Sequence, residues 1–569
     1  RRTLLWVVFT MSLLMLWDAW NRHTGQPTLF GMSRPAQTAG APAAGASGAA
    51  GAAPGAATGV PTPAAQAPTA GSVPGAAAGA AVPVVQREQV TLSTDLYQVT
   101  VDTLGGTLTR MELLQHAFHG DRSRNVVLFM DGRAQQPRRL YLGETGLIGG
   151  AGAAALPTHL TPMKVLTSER KLADGASELV LRLESTGVEG ARLVKTYTFR
   201  RSDYTIGVKH ELFNDGAAAV SPRLYFQLAR DSQPPEGELP ATWYNPTTSF
   251  TGPALYTEAS KFVKVDFKDI KEGGKSTFGK DKQATEGWIA MVQHYFISAW
   301  LLPAGVPREF FFDKVADNHY TTALLVPLGE VAPGSSKSFE ARLYAGPQEE
   351  DKLAALAPGL ELVKDYGMLT VLAKPLFWLL GKLHAVIGNW GWAIVALVVL
   401  LKIAFYWLNA SAYRSMAKMK AINPRVMEMR ERYKDKPQQM QQEMMRIYRE
   451  EKVNPIGSCL PILVQMPFFI ALYWVLMSSV EMRQAPWVGW ITDLSVKDPF
   501  FILPLLMTAS TLLQTWLNPT PPDPAQAKLM WIMPIVFSVF FFFFPAGLVL
   551  YWLTNNILSI AQQWFINKR

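Results

Sequence analysis

Cysteine and charge are both scarce in this sequence of 569 residues. The single cysteine, Cys459, excludes an intramolecular disulfide and a cysteine-cluster metal site. Charged residues make up 17% of the chain, against roughly 25% in a typical soluble domain. Apolar residues reach 49% and concentrate at the N-terminal tip and in the C-terminal third. The composition argues against a purely soluble enzyme. In a membrane protein, the net charge of +9 favours basic cytoplasmic loops over nucleic-acid binding.

Charge is missing altogether from residues 36–85, which consist almost only of Ala, Gly, Pro, Ser, Thr, Gln and Val. Such a segment cannot bury a core, so residues 23–85 are predicted to be a linker. Before it, the apolar run Leu4–Trp17 follows Arg1 and Arg2. We interpret residues 1–22 as an uncleaved anchor with the N-terminus inside. A cleaved signal peptide is the alternative, although no A-x-A site follows directly.

Residues 86–346 predict one all-β domain, a large β-sandwich. Tyr204–Phe213 alternates, with Ile206, Val208, His210 and Leu212 on one face and polar residues on the other. Leu179, Leu181 and Leu183 alternate likewise. Further strands are predicted at Gln89–Thr94, Tyr97–Asp102 and Arg192–Arg200, between Gly, Asp and Pro turn signals.

The C-terminal third predicts a polytopic helical membrane protein. Met368–Leu408 would form a helix of about 60 Å, twice the thickness of a bilayer core, so we expect a break at Gly388-Asn389. The first part reads as an amphipathic helix in the membrane interface, and Trp390–Leu408 as a span. The further predicted spans, which bring the total to six, are Ile456–Val480, Phe500–Leu517, Met530–Phe544 and Gly547–Ile566.

Basic residues predict the orientation of these spans. Ala412–Lys452 holds 11 Lys and Arg residues, whereas the loop Glu481–Asp498 holds two. The positive-inside rule places the first loop in the cytoplasm, which puts both termini inside and the β-domain outside. The predicted order is anchor (1–22), linker (23–85), β-domain (86–346), connector with interfacial helix (347–388), span 2 (389–410), cytoplasmic hairpin (411–454), span 3 (455–480), external loop (481–498), span 4 (499–518), cytoplasmic loop (519–529), spans 5 and 6 (530–566) and C-terminus (567–569).

Polar residues inside the predicted spans indicate a hydrated groove. Lys402 lies within Trp390–Leu408, where a lysine costs about 2.5–3.5 kcal/mol on insertion scales. Gln465 interrupts the third span, and one face of the last span carries Tyr551, Asn555, Ser559 and Gln562. We predict a cytoplasm-facing cavity with Lys402 as its fixed charge. Two alternatives remain open: Lys402 snorkels to the interface, and the other residues only hydrogen-bond helices together.

The cytoplasmic hairpin is rich in methionine, with seven of the 21 in the chain. Because methionine is adaptable, we expect a surface that receives substrate; packing of the two helices is the alternative. Asn423-Pro424 and Lys434–Pro437 are expected to interrupt the helices. The seven residues are Met416, Met419, Met427, Met429, Met440, Met444 and Met445. The positive net charge of the Ala412–Lys452 loop is also consistent with a position near anionic lipid.

Four segments carry a resemblance to the YidC/Oxa/Alb family of membrane protein insertases. They are NPIGSCLPILVQMP at 454–467, SMAKM at 415–419, VEMRQAP at 480–486 and FPAGLVLYW at 544–552. The anchor and large external domain resemble the Gram-negative YidC arrangement. The resemblance implies a five-helix insertase core with a periplasmic β-super-sandwich, in the bacterial inner membrane.

This resemblance also implies a function: an insertase and chaperone, not an enzyme, which uses neither a cofactor nor a metal. It would release hydrophobic segments of nascent inner-membrane proteins from the groove into the lipid bilayer, alone or with the Sec translocon. Lys402 matches the family's groove cation, commonly Arg, and Gln465 its third-span glutamine. Tyr551 and Trp552 match its substrate-contacting aromatic residues. Ribosome–nascent chain complexes are expected partners; no specific nucleic-acid motif is present.

Two other functions are alternatives to the insertase. A small-solute transporter would show internal repeats, and no convincing repeat is present. A periplasmic carbohydrate-active enzyme would rest on the sandwich alone, and a fold does not imply a function. The predicted spans contain no acid pair, nucleophile elbow, phosphate-binding loop or metal-ligand spacing.

Overall fold

A computed structural model describes residues 87–118, 121–132, 139–149, 155–236, 250–272, 282–433, 436–451, 460–518 and 524–568. The described residues form two compact units, a β-domain that ends at Val363 and a helical bundle that begins at Lys364. The predicted N-terminal anchor and linker lie outside the described residues, as does the start of the family motif at 454–459.

The β-domain is built from strands that pair antiparallel with their neighbours. In chain order they are β1 Gln89–Ser93, β2 Tyr97–Asp102, β3 Thr107–Phe118, β4 Asp121–Gly132, β5 Arg139–Ile148, β6 Met163–Val165, β7 Glu178–Ser185, β8 Ala191–Arg200, β9 Thr205–Asn214, β10 Arg223–Arg230, β11 Gly252–Thr257, β12 Lys261–Lys264, β13 Gln283–Ala284, β14 Trp288–Val292, β15 Phe296–Leu301, β16 Arg308–Ala316, β17 His319–Pro327 and β18 Ser336–Pro347. Two short helices, α1 Phe267–Lys271 and α2 Glu350–Leu356, accompany them.

These strands form the two sheets of the predicted sandwich. One has the order β1-β2-β3-β4-β5-β10-β17-β16-β13, and the other β12-β11-β14-β15-β18-β9-β8-β7-β6. Their inner faces pack together: Phe226 of the first sheet lies 5.1 Å from Trp300 and 5.8 Å from Phe339 of the second, measured between ring centroids. The predicted all-β domain is confirmed. In β9, Ile206 and Val208 are buried and the residues after each of them are partly exposed, as the predicted alternation requires.

The helical bundle contains α3 Thr370–Ile387, α4 Trp390–Ala404, α5 Tyr406–Arg432, α6 Pro437–Glu450, α7 Leu460–Ser478, α8 Ile502–Leu517, α9 Pro524–Phe541 and α10 Ala546–Lys568. The chain turns between α3 and α4 at the predicted break, because Gly388 adopts a left-handed conformation with φ 74°. Asn389 then caps α4, since its side chain accepts a hydrogen bond from the backbone N–H of Trp392 at 3.1 Å.

The expected span Trp390–Leu408 is not one straight helix. Helix α4 ends at Ala404, and α5 leaves at an angle of 65°. The turn is at Phe405, whose ring packs edge-on against Phe468 of α7 with centroids 5.0 Å apart. The first turn of α5 therefore belongs to the bundle, and the hairpin helix begins at Tyr406, five residues before the expected boundary at residue 411.

Pro424 does not interrupt the hairpin, which corrects the prediction. Helix α5 runs through it, because Pro424 lies on the exposed side and the unpaired carbonyl of its preceding turn can meet solvent. The opposite side of α5 buries Ile422, Val426 and Met429 against Ile447 of α6, and this packing offsets one missing hydrogen bond. Pro437, by contrast, begins α6, where a proline is tolerated.

Among the described residues, Thr370–Ile387 is long and apolar enough to cross a membrane as a single helix. The bent pair α4–α5 passes the same test when taken together. The apolar helices Val464–Ser478, Ile502–Leu517 and Ala527–Phe541 are shorter. The six-span count therefore stays a prediction, and so does the interfacial position of α3.

Candidate functional site

A cavity of about 290 Å³ lies inside the helical bundle, between α4, α5, α7, α8 and α10. Apolar faces of these helices pack together in a buried core next to the cavity. Leu397, Ala471 and Leu550 are among the residues of this core. The cavity is lined by Val398, Leu401, Lys402, Phe405, Asn409, Ala412, Tyr413, Gln465, Met466, Phe468, Phe469, Gln514, Asn518, Tyr551, Trp552, Asn555 and Ser559.

Lys402 supplies the charge of this cavity. It lies in the last turn of α4, and its Nζ donates a hydrogen bond to Ser559 Oγ of α10 at 2.7 Å. Ser559 Oγ in turn donates to the carbonyl of Asn555 at 2.7 Å. The ammonium is thus directed at α10 instead of along its own helix. Neither Asp nor Glu occurs among the described residues that line the cavity.

A pair of carboxamides joins α5 to α7. Gln465 Nε2 donates to Asn409 Oδ1 at 3.1 Å, and the Asn409 side chain is 4% exposed. Asn409 reaches this position because of the turn at Phe405, which swings the first turn of α5 towards the bundle. The two helices therefore present amide groups to the same space as Lys402.

Aromatic rings form another wall of the cavity. The Phe469 ring lies 4.0 Å from that of Trp552 in an edge-on arrangement and 5.6 Å from that of Tyr551. Phe541 of α9 holds the other side of Trp552 with centroids 4.6 Å apart. Among the described lining residues, the cavity therefore combines one cation and several amides with an aromatic surface.

Comparisons with known proteins cover both units. The family models described as YidC periplasmic domain and 60Kd inner membrane protein match residues 89–379 and 382–569. The membrane protein insertase YidC of Cupriavidus necator is 51% identical over 573 residues, which cover 100% of this chain and 97% of that protein. The insertase YidC of Janthinobacterium sp. is 50% identical, with coverage of 100% and 99%. This chain belongs to the YidC family of membrane protein insertases.

A crystal structure described as an active YidC insertase with the first transmembrane domain resolved covers 84% of this chain, and 92% of that chain is covered. Its identity is 17% and its TM-score is 0.39, a value too low to support a structural argument. Membership of the YidC family, an inner-membrane family with a periplasmic domain, confirms the resemblance seen in the sequence. Every residue that lines the cavity falls within the matched range 382–569.

Six of the seven predicted groove residues line the cavity: Lys402, Gln465, Tyr551, Trp552, Asn555 and Ser559. Gln562 does not, and its Nε2 donates to the carbonyl of Tyr406 at 3.5 Å. Gln562 shares a helix face with Tyr551 but follows it by 11 residues, about 16 Å along the axis. That distance places Gln562 past the residues that line the cavity, beside the first turn of α5.

Three further carboxamides line the cavity without having been predicted: Asn409, Gln514 and Asn518. Asn409 falls inside the predicted span 2 (389–410), which was expected to be straight. Gln514 and Asn518 stand four residues apart at the end of an apolar segment, and that spacing was the available signal. Asn518 Oδ1 accepts a hydrogen bond from Gln563 Nε2 of α10 at 3.2 Å.

The methionines of the hairpin divide into two groups. Met429 is buried, and Met419, Met440 and Met444 pack partly buried against the same cluster, as the packing alternative requires. Met427 is 53% exposed and Met445 45% exposed. Met416 belongs to α5, but its side chain lies outside the described residues. A receiving surface on the hairpin is therefore restricted, among the described side chains, to Met427 and Met445.

No group of three or more His, Cys, Asp and Glu side chains that could hold a metal ion occurs among the described residues. The ion pairs between the two hairpin helices are exposed: Arg425 contacts Glu450 at the end of α6 and Glu451, which follows it. Such exposed pairs stabilise weakly, about 0–1 kcal/mol each. The hairpin thus depends on its small apolar cluster for cohesion.

Proposed function

We propose that this protein inserts nascent membrane proteins into the inner membrane, with the cavity around Lys402 as the place where a polar segment of the substrate enters the bilayer. The observation that carries the proposal is a cation, Lys402, that faces carboxamides and meets no carboxylate among the described residues of the cavity lining. A polar loop that meets these groups exchanges water for protein hydrogen bonds before it crosses hydrocarbon, which lowers the barrier.

Release into lipid follows from apolar burial. A hydrophobic segment that leaves the cavity sideways gains about 0.8 kcal/mol for each CH₂ group that it buries in the acyl chains. The cavity offers such a segment apolar contacts, among them the aromatic wall of Phe469, Tyr551 and Trp552, but these stand beside polar groups that the acyl chains lack. Insertion thus needs no cofactor in this proposal, and the membrane potential assists it. Family membership favours this function over a small-solute transporter.

A reconstituted system tests the function. The purified full chain is placed in liposomes, and a stalled nascent protein with one apolar segment carries a radiolabel. We expect protease protection of that segment above the level in protein-free liposomes. A photo-crosslinker at Leu401, which lines the cavity, should reach the nascent chain. The matched control is Ile403, which is 66% exposed on the other side of α4. Equal insertion with and without the protein would reject the proposal.

We further propose the six-span topology, with both termini in the cytoplasm and the β-domain in the periplasm. Its support is the excess of basic residues in Ala412–Lys452. Single-cysteine labelling in a Cys459→Ser background tests it. Lys420→Cys should react only after the inner membrane is opened, whereas Asp317→Cys should react from the periplasmic side in intact spheroplasts. The reverse pattern would overturn the topology.

The hairpin receives emerging apolar segments before they reach the cavity, in this proposal through Met427 and Met445. Replacing both with Ser should weaken crosslinks to the nascent chain and leave the hairpin resistant to limited proteolysis. Replacing both with Leu keeps volume and apolarity, so its effect should be mild. Met429→Ser is the matched control, because it removes a buried contact and should make the hairpin sensitive to protease. Unchanged crosslinks in the double Ser variant would reject the receiving role.

Partners follow from the same scheme. Substrates are nascent inner-membrane proteins, and we propose that they arrive from ribosome–nascent chain complexes, with or without the Sec translocon. Because the cavity is built entirely from the bundle, deletion of residues 90–330 should leave basic insertion intact. Site-specific crosslinking in cells, followed by identification of the joined proteins, tests each partner. Complete loss of insertion by a deletion variant that is stably present in the membrane would show that the β-domain is required.

A further inference from the structure

The polar lining of the cavity is dominated by carboxamides. Among the described lining residues, five of them accompany a single cation: Asn409, Gln465, Gln514, Asn518 and Asn555. A carboxamide carries a hydrogen-bond donor and an acceptor side by side, as a peptide group does. Carboxylates and phosphates offer acceptors only, and ammonium groups offer donors only. The lining therefore matches the chemistry of a polypeptide main chain more closely than that of an ion.

One pair in this lining is only half satisfied. Asn409 Oδ1 accepts from Gln465 Nε2 at 3.1 Å, while Asn409 Nδ2 is buried and has no hydrogen-bond partner among the described residues. The pair therefore leaves one donor, Asn409 Nδ2, and one acceptor, Gln465 Oε1, for another molecule. If the oxygen and nitrogen of both amides were assigned the other way round, the pair would still leave one donor and one acceptor. Native proteins pair nearly all buried polar groups, so an unpaired one at the wall of a cavity is a place where an entering group can complete the pairing.

We propose that the Asn409–Gln465 pair binds the main chain of the substrate segment in transit. A substrate carbonyl accepts from the free amide N–H of the pair, and a substrate N–H donates to its free oxygen. A phosphate or carboxylate would satisfy only the donor and leave the acceptor unpaired, whereas one extended stretch of main chain satisfies both. This inference rests on the proposed insertase function and deepens it.

Main-chain binding explains how one cavity serves many sequences. Side chains of the substrate vary, but its N–H and C=O groups recur at every residue other than proline. Those groups are also the ones that apolar surroundings penalise most in an extended segment. Asn409 lies one turn of α5 beyond the bend at Phe405, and the Asn409–Gln465 pair lines the same cavity as Lys402. A substrate segment that reaches Lys402 therefore also meets the pair.

The experiment compares variants of the full chain in proteoliposomes. Asn409→Leu and Gln465→Leu each break the amide pair; Leu keeps the branched shape of Asn and is one heavy atom smaller than Gln. Three substrates share one apolar segment and differ only in the crossing loop, which is neutral, acidic or basic. We expect insertion rates about three- to tenfold lower, the loss of one to two hydrogen bonds, by the same factor for all three loops. The double variant should be no worse than either single variant, because the pair acts as a unit.

Asn556→Leu is the matched control. It removes a buried carboxamide of the same bundle that bonds Ser510 and Thr511 between α8 and α10 and that does not line the cavity. Rates are normalised to folded protein by thermal unfolding, and this variant should insert all three substrates at the wild-type rate. If Asn409→Leu does not assemble, Gln465→Leu on the partner helix provides the same test.

Several results would overturn the inference. Normal rates in Asn409→Leu and Gln465→Leu would exclude a binding role for the pair. A loss confined to the acidic loop would show that the amides act through Lys402 instead of on the main chain. These results are distinct from failure of the proposed function itself, which appears as no insertion by the wild-type protein above protein-free liposomes.

Discussion

Removal of the charge at Lys402 tests the electrostatic part of the mechanism. Lys402→Met keeps the stem of the side chain and removes the ammonium, whereas Lys402→Arg keeps a charge. Lys402 Nζ hydrogen-bonds Ser559, and no carboxylate lies among the described residues that line the cavity, so its field acts on whatever enters. We expect the Met variant to lose insertion mainly with substrates whose crossing loop is acidic.

The cavity volume gives the size of this effect. A sphere of about 290 Å³ is roughly 8 Å across, and at that separation two unit charges in an effective dielectric of about 20 attract by about 2 kcal/mol. Such an energy corresponds to roughly 30-fold in rate. Desolvation of the incoming carboxylate opposes part of the attraction, so about 30-fold is the upper end for one acidic residue.

The assay measures a ratio within each variant. Two substrates that differ only by Asp or Ser at one loop position are inserted into proteoliposomes without a membrane potential, since the potential would act on the same charge. The Asp-to-Ser rate ratio should fall in Lys402→Met and be retained in Lys402→Arg. Lys382→Met removes an exposed cation of α3 outside the cavity and should leave the ratio unchanged. Wild-type insertion of the Asp substrate by Lys402→Glu would refute the electrostatic role.

Three further predictions concern stability. Burial lowers the pKa of Lys195 to about 7. Between about pH 7.5 and 9.5 the unfolded chain therefore binds more protons than the folded one. The free energy of unfolding of the β-domain should rise with pH in that range, by up to about 1.4 kcal/mol per pH unit. In urea unfolding, Lys195→Met should flatten that slope, and an equal slope would refute the reasoning. Gly391→Ala should lower the free energy of unfolding by about 1–3 kcal/mol, because its Cβ would collide with the Trp487 ring. Adding Trp487→Leu to Gly391→Ala should restore the melting temperature in detergent. The side chain of Lys364 is fully buried, and its Nζ lies 3.1 Å from Glu481 Oε2. Lys364→Met alone leaves the Glu481 carboxylate without this partner, so it should lower the melting temperature more than Lys364→Met combined with Glu481→Leu.

Much of the fold could be predicted because its signals are local. The alternation of Ile206, Val208, His210 and Leu212 describes a strand with one buried face, and all four residues are buried. Gly388 marked the end of α3, because a residue without Cβ adopts the left-handed conformation of a helix end at little cost. Such features depend on a few neighbouring residues and on no other part of the chain.

The bend at Phe405 could not be predicted in the same way. Nothing in Ile403–Trp407 breaks a helix. The Phe405 N–H closes the last turn of α4 on the carbonyl of Leu401 at 2.9 Å, and the Phe405 carbonyl accepts from the N–H of Asn409 at 3.0 Å in the first turn of α5. The bend is associated with tertiary contacts, the packing of Phe405 on Phe468 and the bond of Asn409 to Gln465. The error at Pro424 has the same origin, since contacts with α6 outweigh the helix-breaking tendency of proline.

The scarcity of charge in the cavity has a physical reason. Each ion placed in a bundle of this kind is expensive, and a carboxylate beside Lys402 would reduce that expense only by cancelling the field that the cation offers to a substrate. Carboxamides avoid the conflict. They hydrogen-bond one another and their helices, as Gln465 does with Asn409 and Gln563 with Asn518, without adding charge. A single cation among neutral amides therefore keeps the cavity polar, leaves it attractive to acidic loops, and still allows apolar segments to leave it for lipid.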